Sequence, residues 1–543
     1  MGNQETSSEI VDLIIVGAGS VGLTMAATWG RMGRTGIVLD KQPLPYGLPR
    51  AGHIDHEIMR FLQQVDAEEP VLEDGFVGEK YIWINGVGET LLSFPWEQHS
   101  ISGWASDYML NSAVLEQSLI ERVDEAASIE TFRGWQAIDL VQHADHVELT
   151  IEATAIVPDS PVPQGTGERR TLRGRYLVAA DGANSRLRQH LGIGRDDLGF
   201  NERWLVVDAR MTRPFSLPFD CGQVCDPRRP TTVLPLGNSH RRWEWHLRPE
   251  EDAEEFLRPE KVWELLEPFG ITDEDVVPVR HLIYTFEARL AREWRSGRVF
   301  LAGDAAHTMP PFLGQGMCSG MRDARNLAWK FDLVLKGLAD DSLLDSYQIE
   351  REPHVRDWTV ISLESGKIPC IVDEEQARRR DEMFRNGYTP PLPEFPQLIA
   401  GVLHRDESGA LAGPAGENGI QARVTRGTET ALLDEFVEPF TFSVISVGPD
   451  PRDFLRDEQI SVLERLGVSW IRLDPSDAPR DSLGAGALID ADDSYADYLK
   501  EKQIEFVLVR PDLYVFGGSD RDGLPLLVDD LLGQVAAEST ARA

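Results

Sequence analysis

The sequence predicts an α/β protein of two or three domains, and three observations lead there. First, an apolar run at 10–16 (IVDLIIV) meets GAGSVG at 17–22. An apolar helical stretch from about 20 to 32 follows, then a second strand, GIVLD, that ends at Asp40. Second, residues 204–210 and 242–247 read as strands of another sheet, separate from the first. Third, strand signals return at 441–447, 468–473 and 504–509 with helical segments between them, as in a small α/β unit. With 543 residues, 42% hydrophobic and 27% charged, the chain can bury large cores.

The opening segment carries the most specific signal. Strand, GxGxxG, helix, strand and acidic residue stand in the order and spacing of a dinucleotide site. Gly17 permits the tight turn, Gly19 lets a pyrophosphate approach the backbone, and Gly22 lets the helix pack against the strand. Ala18 and Val21 complete the loop, and the helix N-terminus meets the phosphate charge. Asp40, with Lys41 beside it, lies where a carboxylate accepts bonds from ribose hydroxyls. A tight strand–helix turn without a ligand is the competing reading. Residues 13–30 are uncharged for 18 positions, which length alone would flag as a membrane span; the glycines explain the run better.

Composition narrows the function classes. There are 54 basic and 90 acidic residues, a net charge of −36. That balance argues against nucleic acid and against docking on an anionic membrane. Cys221, Cys225, Cys318 and Cys370 cannot form a disulfide framework for this length, and Cys221 and Cys225 lack the spacing and the partner pair of a zinc site. No metal is expected. The N-terminus has no basic residue, so a signal peptide is not expected, and the setting reads as cytoplasmic.

Further along, 147–153 alternates as a half-buried strand, 158–167 reads as a loop, and 176–180 (YLVAA) is a buried strand leading into DGANSRLR at 181–188. Strand 298–302 runs into GDAAHTMPPFLGQG at 303–316. A helix from near Met317 then places Met321, Ala324, Ala328, Phe331 and Leu335 at core-facing spacings. The charged, then proline-rich stretch 378–396 reads as a connection, and seven aspartates between 474 and 497 make the last unit's surface acidic.

GAGSVG, DGANSRLR and GDAAHTMPPFLGQG, in this order and spacing, resemble the class A flavoprotein aromatic hydroxylases, the single-component FAD monooxygenases. PRAGHIDHE at 49–57, WLVVDAR at 204–210, VCDPRRP at 224–230, GQGMCSGMRDARNLAWKF at 314–331 and LLDSYQIERE at 343–352 carry a closer likeness to the 3-(3-hydroxyphenyl)propionate hydroxylase branch. The resemblance implies a glutathione-reductase-type, Rossmann FAD-binding domain from 1–80, 101–190 and 285–375. It implies a mixed-sheet substrate domain from 81–100 and 191–284, a linker over 376–420, and a thioredoxin-like C-terminal domain over 421–543. LVRPDLYVFGG at 508–518 matches that tail, which lacks CxxC and so is not expected to do thiol redox chemistry; a homodimer contact is one expected role.

The resemblance also assigns residues. Asp304 is expected on the ribityl chain of FAD, with Gly314, Gly316 and Met317 opening a helix toward the flavin. Asp181, Gly182 and Arg188 match the second FAD and nicotinamide motif, and Arg50 an arginine that approaches FAD. Ser112 stands where relatives often have glutamine, and a serine is too short for the same bonds. Pro310 and Pro311 shape the loop against the flavin. His53 is the candidate base for a phenol, and Tyr46, Trp243 and Trp245 are candidates for an aromatic pocket, with core packing the alternative for the tryptophans. His307 reads as structural.

The implied reaction is hydride transfer from NAD(P)H to FAD and oxygen addition at flavin C4a. The resulting hydroperoxide then attacks a small phenolic ring, with nicotinamide docking transiently. A polyketide or other non-phenolic substrate, epoxidation, Baeyer–Villiger chemistry, and a non-catalytic flavin-binding subunit remain alternatives.

Overall fold

A computed structural model describes residues 5–6, 9–157, 160, 162–388, 395–478, 484 and 486–536. Parts of three stretches named above lie outside the described residues: 158–159 and 161 of the loop, 389–394 of the proline-rich connection, and 479–483 and 485 within the aspartate-rich segment.

Five strands lie parallel and side by side: Val299–Leu301, Gln164–Ala179, Val11–Val16, Gly36–Asp40 and Ile129–Arg133. Their apolar runs, such as Leu13 to Val16 and Leu177 to Ala179, are buried on both faces, as parallel strands require. The helix Ser20–Arg31 covers one face and is buried along Gly22–Trp29. Val147–Ala155 and Trp135–Gln142 extend the sheet by antiparallel pairing to the first half of strand Gln164–Ala179. Residues 164–167, expected in the loop, therefore belong to this strand. Their polar side chains suit an exposed ladder, and pairing with Thr154 and Ala155 supplies the hydrogen bonds that a loop would leave to water.

The second sheet has eight strands and is mixed. Its order is His307–Thr308, Val276–Ala291, Arg195–Met211, His240–Leu247, Thr231–Leu236, Gly222–Cys225, Lys80–Asn85, Thr90–Pro95. Only the Gly222–Cys225 and Lys80–Asn85 neighbours run parallel. A third sheet of seven strands carries the order Glu429–Leu432, Arg423–Arg426, Leu488–Asp490, Ser469–Asp474, Ser443–Val447, Phe506–Val509, Val515–Ser519.

The stretch 376–420, expected as a linker, is largely folded. Asp373 caps a helix, Glu374–Arg385, by accepting from the Gln376 N–H at 2.8 Å. The helix docks on the second sheet: Arg380 donates to the Cys225 carbonyl at 2.7 Å, and Phe384 meets Trp83 edge-on. Charge at its exposed positions suggested a linker, but these contacts make it a cover. Beyond it, Leu398 and Leu403 are fully buried.

The helix Gln315–Leu335 runs through the middle of the molecule. Met321, Ala324, Ala328 and Phe331 pack in the core as expected. Unexpectedly, Arg322, Asp323, Arg325, Asn326 and Lys330 are buried too. Each finds a partner in another segment. Arg322 pairs with Asp55 and with Glu57 (2.7 Å); Asp323 receives Arg351 (2.9 Å) and His307 (2.7 Å). Arg325 donates to the Asp512 carbonyl at 2.7 Å, and Lys330 meets Glu350 at 2.8 Å. Arg510 also reaches Glu350, at 2.7 Å. No helix among the described residues is long and apolar enough to cross a membrane.

Burial alone would raise the Glu350 carboxyl; Arg510 and Lys330 outweigh it and hold it down to about 2. The unfolded chain binds that proton near 4.5, so the pair's contribution is present above that pH and is lost as pH falls through about 2. Glu350→Ala leaves Lys330 buried without a carboxylate and Arg510 with Asp512 alone. Denaturant titration at neutral pH is expected to show a loss of about 3–5 kcal/mol.

Candidate active site

Four loops meet at the C-terminal ends of the parallel strands, where open α/β sheets bind ligands. They follow Val16, Asp40, Ala179 and Leu301. Gly17 has φ +108°, and a Cβ there would stand 2.3 Å from the Ala180 carbonyl, so two of these loops touch through the missing side chain. A Cβ on Gly22 would fall 1.8 Å from the Gly17 carbonyl oxygen. The Ala18 N–H donates to Asp40 at 2.8 Å, which ties the first loop to the second strand's end. Lys41 is exposed, and its carbonyl accepts from Thr154 at 2.6 Å.

Arg50 extends along Gly19. Glu116 holds it there, accepting from its guanidinium and from the Ser20 hydroxyl, each at 2.8 Å. Ser112 accepts from the Arg50 backbone N–H at 2.8 Å, so its hydroxyl fixes this segment and is not part of the cavity wall. Sequence reasoning stopped at Ser112; Glu116, one turn further along the same helix, is the carboxylate that faces the arginine.

The other motifs brace one another. Asp181 accepts from the Arg186 and Leu187 N–H groups and so anchors the start of helix Arg186–His190. Arg188 bridges the Ala183 and Ala305 carbonyls at 3.1 and 3.0 Å, joining the second motif to the third. Asp323 accepts from the Gly303 N–H at 3.0 Å and from His307, and so holds the third loop from below. Asp304, next in sequence, makes no hydrogen bond to the described residues and faces the cavity. Its side chain is open to the cavity, and the protein crowded around that cavity raises its carboxyl above the ordinary range.

A cavity of about 1480 Å³ runs from these loops to the inner face of the second sheet. That exceeds the roughly 300–1,000 Å³ of a single small-ligand pocket, so it has room for two occupants. Gly19, Val21, Arg50, Gly182 and Asp304 line one end. Pro310, Pro311, Gly314, Gly316 and Met317 line the middle with His53. Helix Gln315–Leu335 aims its N-terminus here, where its first N–H groups have no partner within the helix.

Three expected pocket residues lie elsewhere. Trp243 and Trp245 are buried in the second sheet's own core, and the alternation of side chains along strand His240–Leu247 turns Arg242 and Glu244 to the cavity instead. Tyr46 is half-exposed outside the cavity wall, with Arg50 over its ring and Arg280 at its hydroxyl. His53 is in the wall, but its Nε2 is 2.8 Å from Asp107. Burial works against a charge there; Asp107 and Cys318 outweigh it and keep the imidazole well above the ordinary histidine range. Asp107 thus occupies one ring nitrogen of the residue expected as a base and favours the charged form of the ring.

The free carboxylate of Asp304, the glycine cradle at 17–22 and the cation beside Gly19 match the hydroxyl-rich chain and the pyrophosphate of a flavin dinucleotide. The family described as FAD binding domain matches residues 10–362. The chain belongs to the single-component FAD-dependent aromatic hydroxylases. A second family, described as HcaD C-terminal domain, matches 416–534. A protein of Rhodococcus jostii named "probable NADH-specific resorcinol 4-hydroxylase" is 35% identical over 97% of this chain and 95% of its own. A 3-(3-hydroxy-phenyl)propionate/3-hydroxycinnamic acid hydroxylase of Comamonas testosteroni is 32% identical over 94% of each. The solved flavin-dependent monooxygenase PieE, in complex with FAD and substrate, superposes with a TM-score of 0.77 at 21% identity, over 97% of this chain and 99% of its own. Aklavinone-11 hydroxylase with FAD and aklavinone gives 0.74 at 23%, over 98% and 100%. These last two likenesses are of fold.

In this hydroxylase Gly22→Ala forces the first loop off the helix. FAD affinity, read by quenching of flavin fluorescence, is expected to fall by about tenfold or more, as overpacking of about 1–3 kcal/mol implies.

Proposed function

We propose that the protein is an NAD(P)H-dependent FAD monooxygenase that hydroxylates a phenolic ring. The balance is phenol, O2, NAD(P)H and a proton giving the ring-hydroxylated product, NAD(P)+ and water. The observation that carries this is the single cavity joining the dinucleotide loops to a polar and aromatic sheet face. The names of the two relatives support the chemistry, and one of them supports NADH as the reductant.

FAD, when bound, supplies the redox chemistry, taking up a hydride and carrying activated oxygen to the ring. The chain's own residues bind and orient. Asp304 accepts from ribityl hydroxyls and Arg50 meets the pyrophosphate beside Gly19, while Asp40, accepting from the Ala18 and Gln42 N–H groups, braces the first loop. The N–H groups at Gly316 and Met317 favour negative charge at the start of their helix. His53, held by Asp107, is the wall residue that would exchange a proton with the phenol. Pro310 and Pro311 stiffen the wall opposite, and the apolar lining excludes water from the reacting atoms.

The division into an FAD part, a substrate part and a thioredoxin-like C-terminal part belongs to the same proposal. The C-terminal reading is supported by the strand order Ser469–Asp474, Ser443–Val447, Phe506–Val509, Val515–Ser519, in which the first pair is parallel and the rest antiparallel. The four cysteines are unpaired, which supports a reducing, cytoplasmic setting.

The test is aerobic NADH and NADPH oxidation by the FAD-loaded protein with a panel of phenols, products being read by mass spectrometry. A phenol that accelerates oxidation and gains one oxygen is the expected result. Failure of every phenol with FAD intact would sink the reading. Asp304→Ala removes charge-assisted hydrogen bonds, and its Kd for FAD is expected to rise about 10- to 100-fold in the same fluorescence titration.

A further inference from the structure

The substrate end of the cavity has a polar pattern of its own. One row of side chains crosses the second sheet in register: Trp83, Gln223, Thr232, Glu244 and Val206. All five line the cavity. Gln223 is consumed locally, accepting from the Thr232 hydroxyl at 3.0 Å and donating to the Tyr81 hydroxyl at 3.0 Å. Glu244 is different. It is only 5% exposed and makes no hydrogen bond to the described residues. Its nearest cation, Arg242, stands 3.7 Å away, beyond hydrogen-bond reach. Arg242 itself is committed to Asp208 at 2.6 Å and to the Arg50 carbonyl at 3.0 Å.

A buried carboxylate facing a cavity with an unfilled acceptor is costly unless a ligand supplies the donor. Burial raises the Glu244 carboxyl above its ordinary range, against the pull of Arg242, so its charge is not fully compensated by protein. Each arginine and lysine of the wall already holds a carboxylate: Arg50 is on Glu116, Arg242 on Asp208 and Arg322 on Asp55, while the exposed Lys367 is on Glu364 at 2.5 Å; His53 is on Asp107. An aromatic carboxylate entering here would meet an acidic group and find no arginine or lysine without a carboxylate already on it, which disfavours it. A neutral ring with a hydroxyl would fill the acceptor, and the surrounding Tyr81, Trp83, Phe94 and Trp96 would take its faces.

We infer that Glu244 accepts a hydroxyl hydrogen of the substrate and that the substrate is a neutral phenol, such as a benzenediol, and not a phenolic acid. This rests on the hydroxylase reading and names the substrate class of that site. The hydrogen bond strengthens as the phenolic oxygen gives electron density to the ring, so it serves turnover as well as binding.

The experiment compares resorcinol with 3-(3-hydroxyphenyl)propionate on the FAD-loaded enzyme, for the unaltered protein, Glu244→Gln and Glu244→Asp. Three quantities are followed: kcat/KM for oxygen insertion, Kd from the change in flavin absorbance on binding, and FAD content as the check of folding. The unaltered enzyme is expected to favour resorcinol by about tenfold or more. Glu244→Gln is expected to lose at least about tenfold on resorcinol in both kcat/KM and Kd, with Glu244→Asp recovering part of it. A preference below tenfold, or a Glu244→Gln loss below tenfold with FAD content unchanged, overturns the inference. Hydroxylation of neither compound or of any other phenol overturns the hydroxylase reading itself, and the inference with it. Hydroxylation of the acid alone leaves that reading intact and overturns only this inference.

Discussion

The buried ion pairs of helix Gln315–Leu335 hold the rest of the molecule in place. Arg322, Asp323, Arg325 and Lys330 would each be costly in a low-dielectric interior without a partner. Their partners lie in segments far apart in sequence: Asp55 and Glu57, Gly303 and His307, Glu350 and Arg351, Asp512. The helix therefore requires all of these segments to be in register at once. Its N-terminus emerges in the cavity, so the same lattice that joins the segments sets where Gly314 and Gly316 stand.

The dinucleotide end is rigid for a related reason. Its loops follow four of the five parallel strands, and they brace one another through Asp40, Arg188 and Asp323. Little chain is left free to rearrange when a ligand arrives, which reduces the ordering cost of binding. The second sheet reaches into this end as well, since Arg242 bonds the carbonyls of Pro49 and Arg50 while pairing with Asp208. Arg50 is thus positioned by Glu116 from one side and by the second sheet from the other.

The substrate sheet shows how one strand serves two purposes. Along His240–Leu247 the tryptophans fill the core and the charged residues face the cavity. A charged residue on the inner face is unusual, and here it is either paired, as Arg242 is, or left with an open acceptor, as Glu244 is. Packing needs the first face and recognition needs the second, so the strand's alternation separates stability from specificity.

Much of the fold was legible in the chain. The GAGSVG turn, its flanking apolar strands and Asp40 identify the nucleotide end because local sterics and spacing allow few other structures. The later motifs, through their resemblance, point to the same end, and the apolar runs of the parallel strands appear where expected. The register of charges was not legible. Helix 315–335 reads as amphipathic, yet its polar side is buried, because partners 16 to 267 residues away neutralise it. The helix Glu374–Arg385 reads as a linker because its docking face is supplied by another sheet. Trp243 and Glu244 are adjacent letters, and nothing local says which one faces the cavity; that depends on which side of the sheet the FAD-binding segment covers. Local geometry and spacing, then, are determined by the sequence alone. Which buried charges are paired and which one faces the cavity without a hydrogen bond is decided only when distant segments meet.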